Sequence, residues 1–216
     1  MGSSVRPPPA SSFTLSTVSP RKWYRVHPID PVTGDYAPDA YNASGRGNAR
    51  FSPLCRPDNG KVIPTIYAAD SPRGAIMEVV LHDVPVPSSG YQHDLERDRA
   101  SNLHLSEVGL PALVLANLTA TGLRGPGLAP SDLFDGDKTD YPRTREWALW
   151  IWANVPSAQG LMWMSKQDNQ SKAVMLFGDR VSTPIADMKK SHHVIHYEDL
   201  IIELLAEMGA TVTPSL

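Results

Sequence analysis

The chain has 216 residues, 41% of them hydrophobic and 20% charged, a balance that fits a globular protein and excludes collagen-like, wholly disordered and low-complexity architectures. Twenty Lys and Arg against 23 Asp and Glu leave a formal charge of −3, without the basic excess that nucleic-acid-binding domains use to displace counterions from phosphates. A single cysteine, Cys55, excludes an internal disulfide and any cysteine-rich zinc or iron–sulfur site, and no apolar run approaches the ~20 residues of a membrane span.

Residues 1–20, with Pro7-Pro8-Pro9 and several serines, read as a flexible leader, and residues 21–216 as one domain. The first residues carry no apolar secretion core, so the expected location is the cytoplasm. Trp23-Tyr24-Arg25-Val26 suits a strand, and a polar loop punctuated by proline and glycine then runs through Gly47. Val62 to Ala69 reads as a strand with Pro64 near its start. Asp70-Ser71-Pro72 opens a helix, with a capping side chain followed by proline at the first helical position. That helix is expected to bury Ala75, Ile76, Val79 and Val80, leaving Glu78 at the border of the face.

A short surface helix is expected within His93 to Arg99 and a strand over Pro111 to Leu118. Thr139-Asp140-Tyr141-Pro142 starts a second long helix bearing Trp147, Trp150 and Trp152. Gly160–Ser165 and Ala173–Phe177 form a hairpin across the polar turn Gln167 to Gln170. A last strand at Val194 to Tyr197 leads into a helix over Glu198 to Met208, stopped by Gly209. Irregular alternation of strands and helices predicts an α+β domain, a mixed or antiparallel sheet with flanking helices, rather than a doubly wound sheet.

Gly45-Arg46-Gly47-Asn48-Ala49-Arg50 lacks the third glycine and the preceding strand of a dinucleotide fingerprint. Its glycines instead allow a tight turn that presents Arg46 and Arg50, whose planar guanidinium groups match phosphate with paired hydrogen bonds; a plain surface turn is the competing role. His192 and His196 have the spacing of helical metal ligands, but no glutamate completes that pattern and Val194-Ile195 suggests a strand, so no metal site is assigned. The tryptophans are expected in the core or on a partner surface.

Gly45 through Pro53, followed by Ile66 through Val79, resembles the core of the RES domain, the toxin of bacterial RES–Xre toxin–antitoxin pairs, named for an arginine, a glutamate and a serine. Trp23-Tyr24-Arg25-Val26 is similar to its opening strand, and Gly160 to Ser165 with Ala173 to Phe177 to its late serine element, so the resemblance spans about Trp23 to Arg180. Where the family often has Gly-Gly-Arg and an Asn before the proline, this chain has Asn48-Ala49-Arg50 and Ser52. The resemblance implies a fold like that of ADP-ribosyltransferase toxins, NAD+ as substrate with no prosthetic group, an Xre-like antitoxin partner covering the site, and no direct contact with nucleic acid or membrane. It leaves a homodimer and a hetero-oligomer with the antitoxin both open.

On that reading Glu78 stabilises an oxocarbenium-like transition state at the ribose, because nicotinamide leaves neutral and needs no general acid. Arg25, Arg50 and Arg46 would hold the two phosphates, Tyr67 would stack on nicotinamide, and the Ser165 hydroxyl would meet a ribose or the carboxamide. The competing roles are structural: Tyr67 in the core, Ser165 as a strand residue, Glu78 as a solvated helix position and Arg25 as the partner of a structural carboxylate. Depletion of NAD+ with water or phosphate as acceptor is the first functional expectation and mono-ADP-ribosylation of a cellular protein the second. A non-enzymatic interaction module using the Trp-rich helix is the rival from another class.

Overall fold

The computed structural model describes residues 12–30, 37–182 and 184–213. Its frame is an eight-stranded sheet built from β1 (Leu15–Val18), β2 (Arg21–Pro28), β5 (Thr65–Ala69), β7 (Leu103–Leu110), β8 (Leu113–Asn117), β9 (Gly160–Met164), β10 (Lys172–Phe177) and β11 (Ile185–His193). The spatial order is β1-β8-β9-β10-β5-β2-β7-β11, and every pair is antiparallel except β8 with β9. Two small pairs lie outside it: β3 (Leu54–Cys55) with β4 (Val62–Ile63), and β6 (Gln92–His93) with β12 (Thr211–Val212).

Connectivity forces this sheet to curl. Five strand spacings separate β7 from β8, about 24 Å if the sheet were flat. Yet only Pro111 and Ala112 link them, and that span reaches at most about 11 Å. The ends therefore fold toward each other around a core of Trp23, Ile66, Val108, Leu110, Leu113, Leu115, Val174 and Leu176. Strand alternation sends the other side chains of the same strands to the outer face, where helices cover them.

Two cores sit side by side on that outer face. One packs α4 (Tyr141–Asn154) through Ala148 and Ile151 onto Leu161, Trp163, Met175 and Phe177. The other packs α1 (Pro72–Val79) and α5 (Glu198–Glu207) onto Val26, Ala69 and Leu105. Short helices α2 (Leu95–Arg99) and α3 (Pro130–Phe134) complete the layer. Trp147, Trp150 and Trp152 are half-buried against the first core, with Phe13 meeting the Trp147 and Trp150 rings, so the Trp-rich helix is engaged inside the fold.

The α+β expectation, the β9–β10 hairpin and the helix starting at Pro72 all appear. Ser71 caps α1 by accepting a hydrogen bond from the Gly74 amide at 3.0 Å. β1 falls within the stretch read as a flexible leader: buried Phe13 anchors it, and it closes the β8 edge of the sheet. Residues 1–11 lie outside the described part. On α1 the buried residues are Gly74, Ala75, Ile76 and Met77, while Val79 is 42% exposed, because it faces the cleft described below. Val194–Tyr197 is a 3₁₀ turn instead of a strand, with the His193 ring accepting from the Ile195 amide; the strand runs earlier, as β11.

Candidate active site

β2 and β5 touch at a single register pair, Tyr24↔Ala69, and diverge beyond it. Residues Arg25–Pro28 and Thr65–Tyr67 therefore line opposite walls of an opening in the sheet. The segment after β2 is pinned across this opening: Arg25 Nη1 donates to the Pro38 and Ala40 carbonyls at 2.9 and 2.8 Å, and Asn42 pairs with Thr65 through two backbone bonds. Burial pulls the Arg25 guanidinium down to about 10, opposed by Asp39, and it remains cationic at neutral pH.

The result is a cleft of two adjoining lobes, about 480 and 380 Å³, at the seam between the two outer cores. Arg50, Glu78, Tyr141 and Trp163 line both lobes and mark the junction. The smaller lobe holds Arg25, Arg46, Asn48 and Tyr67; the larger holds Phe134, Lys166 and Gln167.

Each group at the junction is positioned by its own element. The loop carrying Arg50 turns at Gly45 and Gly47, whose φ values of +69° and +103° suit glycine. It is fastened to α4, where Arg145 Nε donates to the Ala49 carbonyl at 3.1 Å, Arg145 Nη2 to Asn48, and the Thr144 hydroxyl to the Arg50 carbonyl. Arg50 Nη1 donates to the Leu133 carbonyl at 2.9 Å, and its guanidinium lies over the Tyr141 ring at 5.0 Å. The Tyr67 hydroxyl accepts from the Phe51 amide and donates to Ser52 Oγ, both at 3.2 Å, and burial pushes its pKa far above the ordinary phenol range.

Glu78 reaches the junction from the last turn of α1, half-buried and without a hydrogen bond or ion pair to any described residue. α1 approaches the sheet closely because it carries Gly74: a Cβ there would sit 2.5 Å from Ser171 Cβ. Arg46 is exposed on the rim of the smaller lobe.

The structure thus gathers Arg25, Arg46, Arg50, Tyr67 and Glu78 around one cleft. Ser165 stands apart. It lies just past β9 with 1% exposure, lines neither lobe, and its hydroxyl is buried without a hydrogen-bond partner among the described residues, while its backbone is tied into the hairpin mouth through bonds with Ser171 and Asn169. His82, Asp83, Lys138 and Tyr141, which the sequence reading did not single out, also line the cleft. No sequence pattern marks them: His82 lies in the turn beyond the end of α1, outside its helical periodicity. Among the described residues no group of three or more His, Cys, Asp or Glu could hold a metal, and no helix is long and apolar enough to cross a membrane.

Residues 22–198 match the RES domain family, and the chain belongs to it. A similar solved structure is the M. tuberculosis MbcT–MbcA toxin–antitoxin complex, with a TM-score of 0.54 and 15% identity over 88% of this chain and 92% of that one. At that identity the likeness concerns the fold. No curated protein matches the chain.

Proposed function

We propose that the chain is the toxin of a toxin–antitoxin pair and acts by breaking the nicotinamide–ribose bond of NAD+. The observation that carries this reading is Glu78, without a hydrogen bond or ion pair to any described residue, at the junction of two lobes that Arg50 also lines, with Arg25 and Arg46 in the smaller lobe. A two-part cleft suits a two-part ligand, and cations beside it suit a pyrophosphate. The bond to break already carries the positive charge of the pyridinium, so the site supplies orientation and an anion near the developing oxocarbenium. Glu78 is the anion; Tyr67, edge-on to Trp163 at 6.2 Å between ring centroids, offers an aromatic wall for nicotinamide.

Membership of the RES domain family supports the assignment, and so does a fold shared with a protein solved in a toxin–antitoxin complex. The partner is then an Xre-like antitoxin that closes over the cleft. The test is release of nicotinamide from NAD+ by purified protein and growth arrest on expression, each compared with Glu78→Ala. Cleavage and arrest abolished by that substitution are expected; wild-type behaviour of the variant would overturn the assignment. A labelled protein band from NAD+ carrying a labelled adenylate would show transfer to a macromolecule, the second reading.

A further inference from the structure

His82 is held from both sides of its ring. Nδ1 lies 2.9 Å from Asp83 Oδ1, and Nε2 lies 3.0 Å from the Tyr141 hydroxyl. Lys138 Nζ sits 2.7 Å from the other Asp83 oxygen and, with His82, holds that carboxyl below the usual carboxylate range. An ionised carboxylate only accepts, so Nδ1 carries the proton and Nε2 presents its lone pair, which Tyr141 occupies with its O–H. The turn bearing His82 is itself clamped: Gln167 Nε2 lies 3.2, 2.8 and 2.9 Å from the carbonyl oxygens of Leu81, His82 and Val84. A surface histidine with no task would need no such support. This one lines both lobes beside Glu78 and Arg50, its side chain 31% exposed.

We propose that His82 is the base that takes the proton of an uncharged hydroxyl acceptor, water in the simplest case, as that acceptor attacks the ribose; this rests on the NAD+-cleaving reading above. The C1′–N bond breaks with its electron pair going to the nicotinamide nitrogen, which leaves neutral. An acceptor oxygen lone pair forms the new bond to C1′; the acceptor proton passes to the Tyr141 hydroxyl oxygen as the Tyr141 proton moves to His82 Nε2, 3.0 Å away. Asp83 balances the imidazolium, which returns its proton to solvent through its exposed edge. Asp83 and Gln167 are positioning residues: they set the tautomer and the place of the ring. An anionic acceptor such as inorganic phosphate or azide needs no such base, and that difference is what can be measured.

The experiment follows nicotinamide and ADP-ribose release from NAD+ in phosphate-free buffer for wild type, His82→Ala and His82→Gln. The expected result is kcat lower by about 10²-fold in both variants, with KM for NAD+ little changed and melting curves close to wild type. Sodium azide should restore nicotinamide release by the variants, with the azide adduct replacing ADP-ribose. His82 variants as fast as wild type without phosphate would overturn the proposal, as would a wild type that turns over only with inorganic phosphate. Absence of release from wild type with every acceptor is a different failure, that of NAD+ cleavage itself.

Discussion

Removing the Glu78 carboxylate leaves no buried donor orphaned, since the side chain bonds to none of the described residues. Glu78→Gln should therefore keep stability within about 0.5 kcal/mol of wild type while lowering kcat on the order of 10²–10³-fold; a denaturant titration and a nicotinamide-release assay check the two halves separately. Arg50 differs, because one nitrogen serves the Leu133 carbonyl and the plane covers Tyr141, leaving the rest of the fork for a ligand. Lysine cannot do both, so Arg50→Lys should raise KM for NAD+ by about tenfold, roughly 1.4 kcal/mol, and an unchanged KM would remove Arg50 from phosphate binding. These two residues were legible in the sequence because glycines and a capped helix flanked them. His82 and Tyr141 were not: a histidine in a turn and a tyrosine at a helix start carry no pattern, and only the fold brings them within 3.0 Å.

At the scale of the element, α1 is the part that sets the cleft, and its closeness to the β9–β10 hairpin depends on Gly74. Gly74→Ala places a methyl group into Ser171 and should destabilise the protein by about 1–3 kcal/mol, read from the shift of a urea midpoint; a midpoint at or above the wild-type value would contradict the contact. Elements with strong local signals were legible in advance, such as the Ser71-Pro72 start and the hairpin with its polar turn. β7 was missed because its alternation changes phase at Ser106, a buried hydroxyl between His27 Nε2 and Ser191 Oγ at 2.8 Å each. β11 was missed because an edge strand carrying Lys189 and Lys190 reads as a loop, charge being how exposed edges avoid pairing. Val194-Ile195 looked like a strand by composition, but a side-chain bond from the chain's own neighbour favoured a tight turn.

For the whole molecule, the folded state lowers the pKa values of Asp83, Glu107, Asp137 and Glu207, chiefly through hydrogen bonds from Lys138, Lys190, Thr139 and Arg73 respectively. Carboxyls depressed on folding stabilise fully above their unfolded values, about 4, and lose that contribution as pH falls through the folded ones. The urea midpoint should hold from neutral pH to about 5, then drop, with a shallower drop in high salt because most of these groups are exposed; a midpoint that rises on acidification would contradict the sign. The order of the strands has a temporal meaning as well. β10, which starts at Lys172, is the rib between β9, which carries Trp163, and β5, which carries Tyr67, so these two aromatic linings of the cleft are set side by side only once β10 has been made. A nascent chain that has reached only β9 then holds both rings but lacks the strand that sets them beside each other.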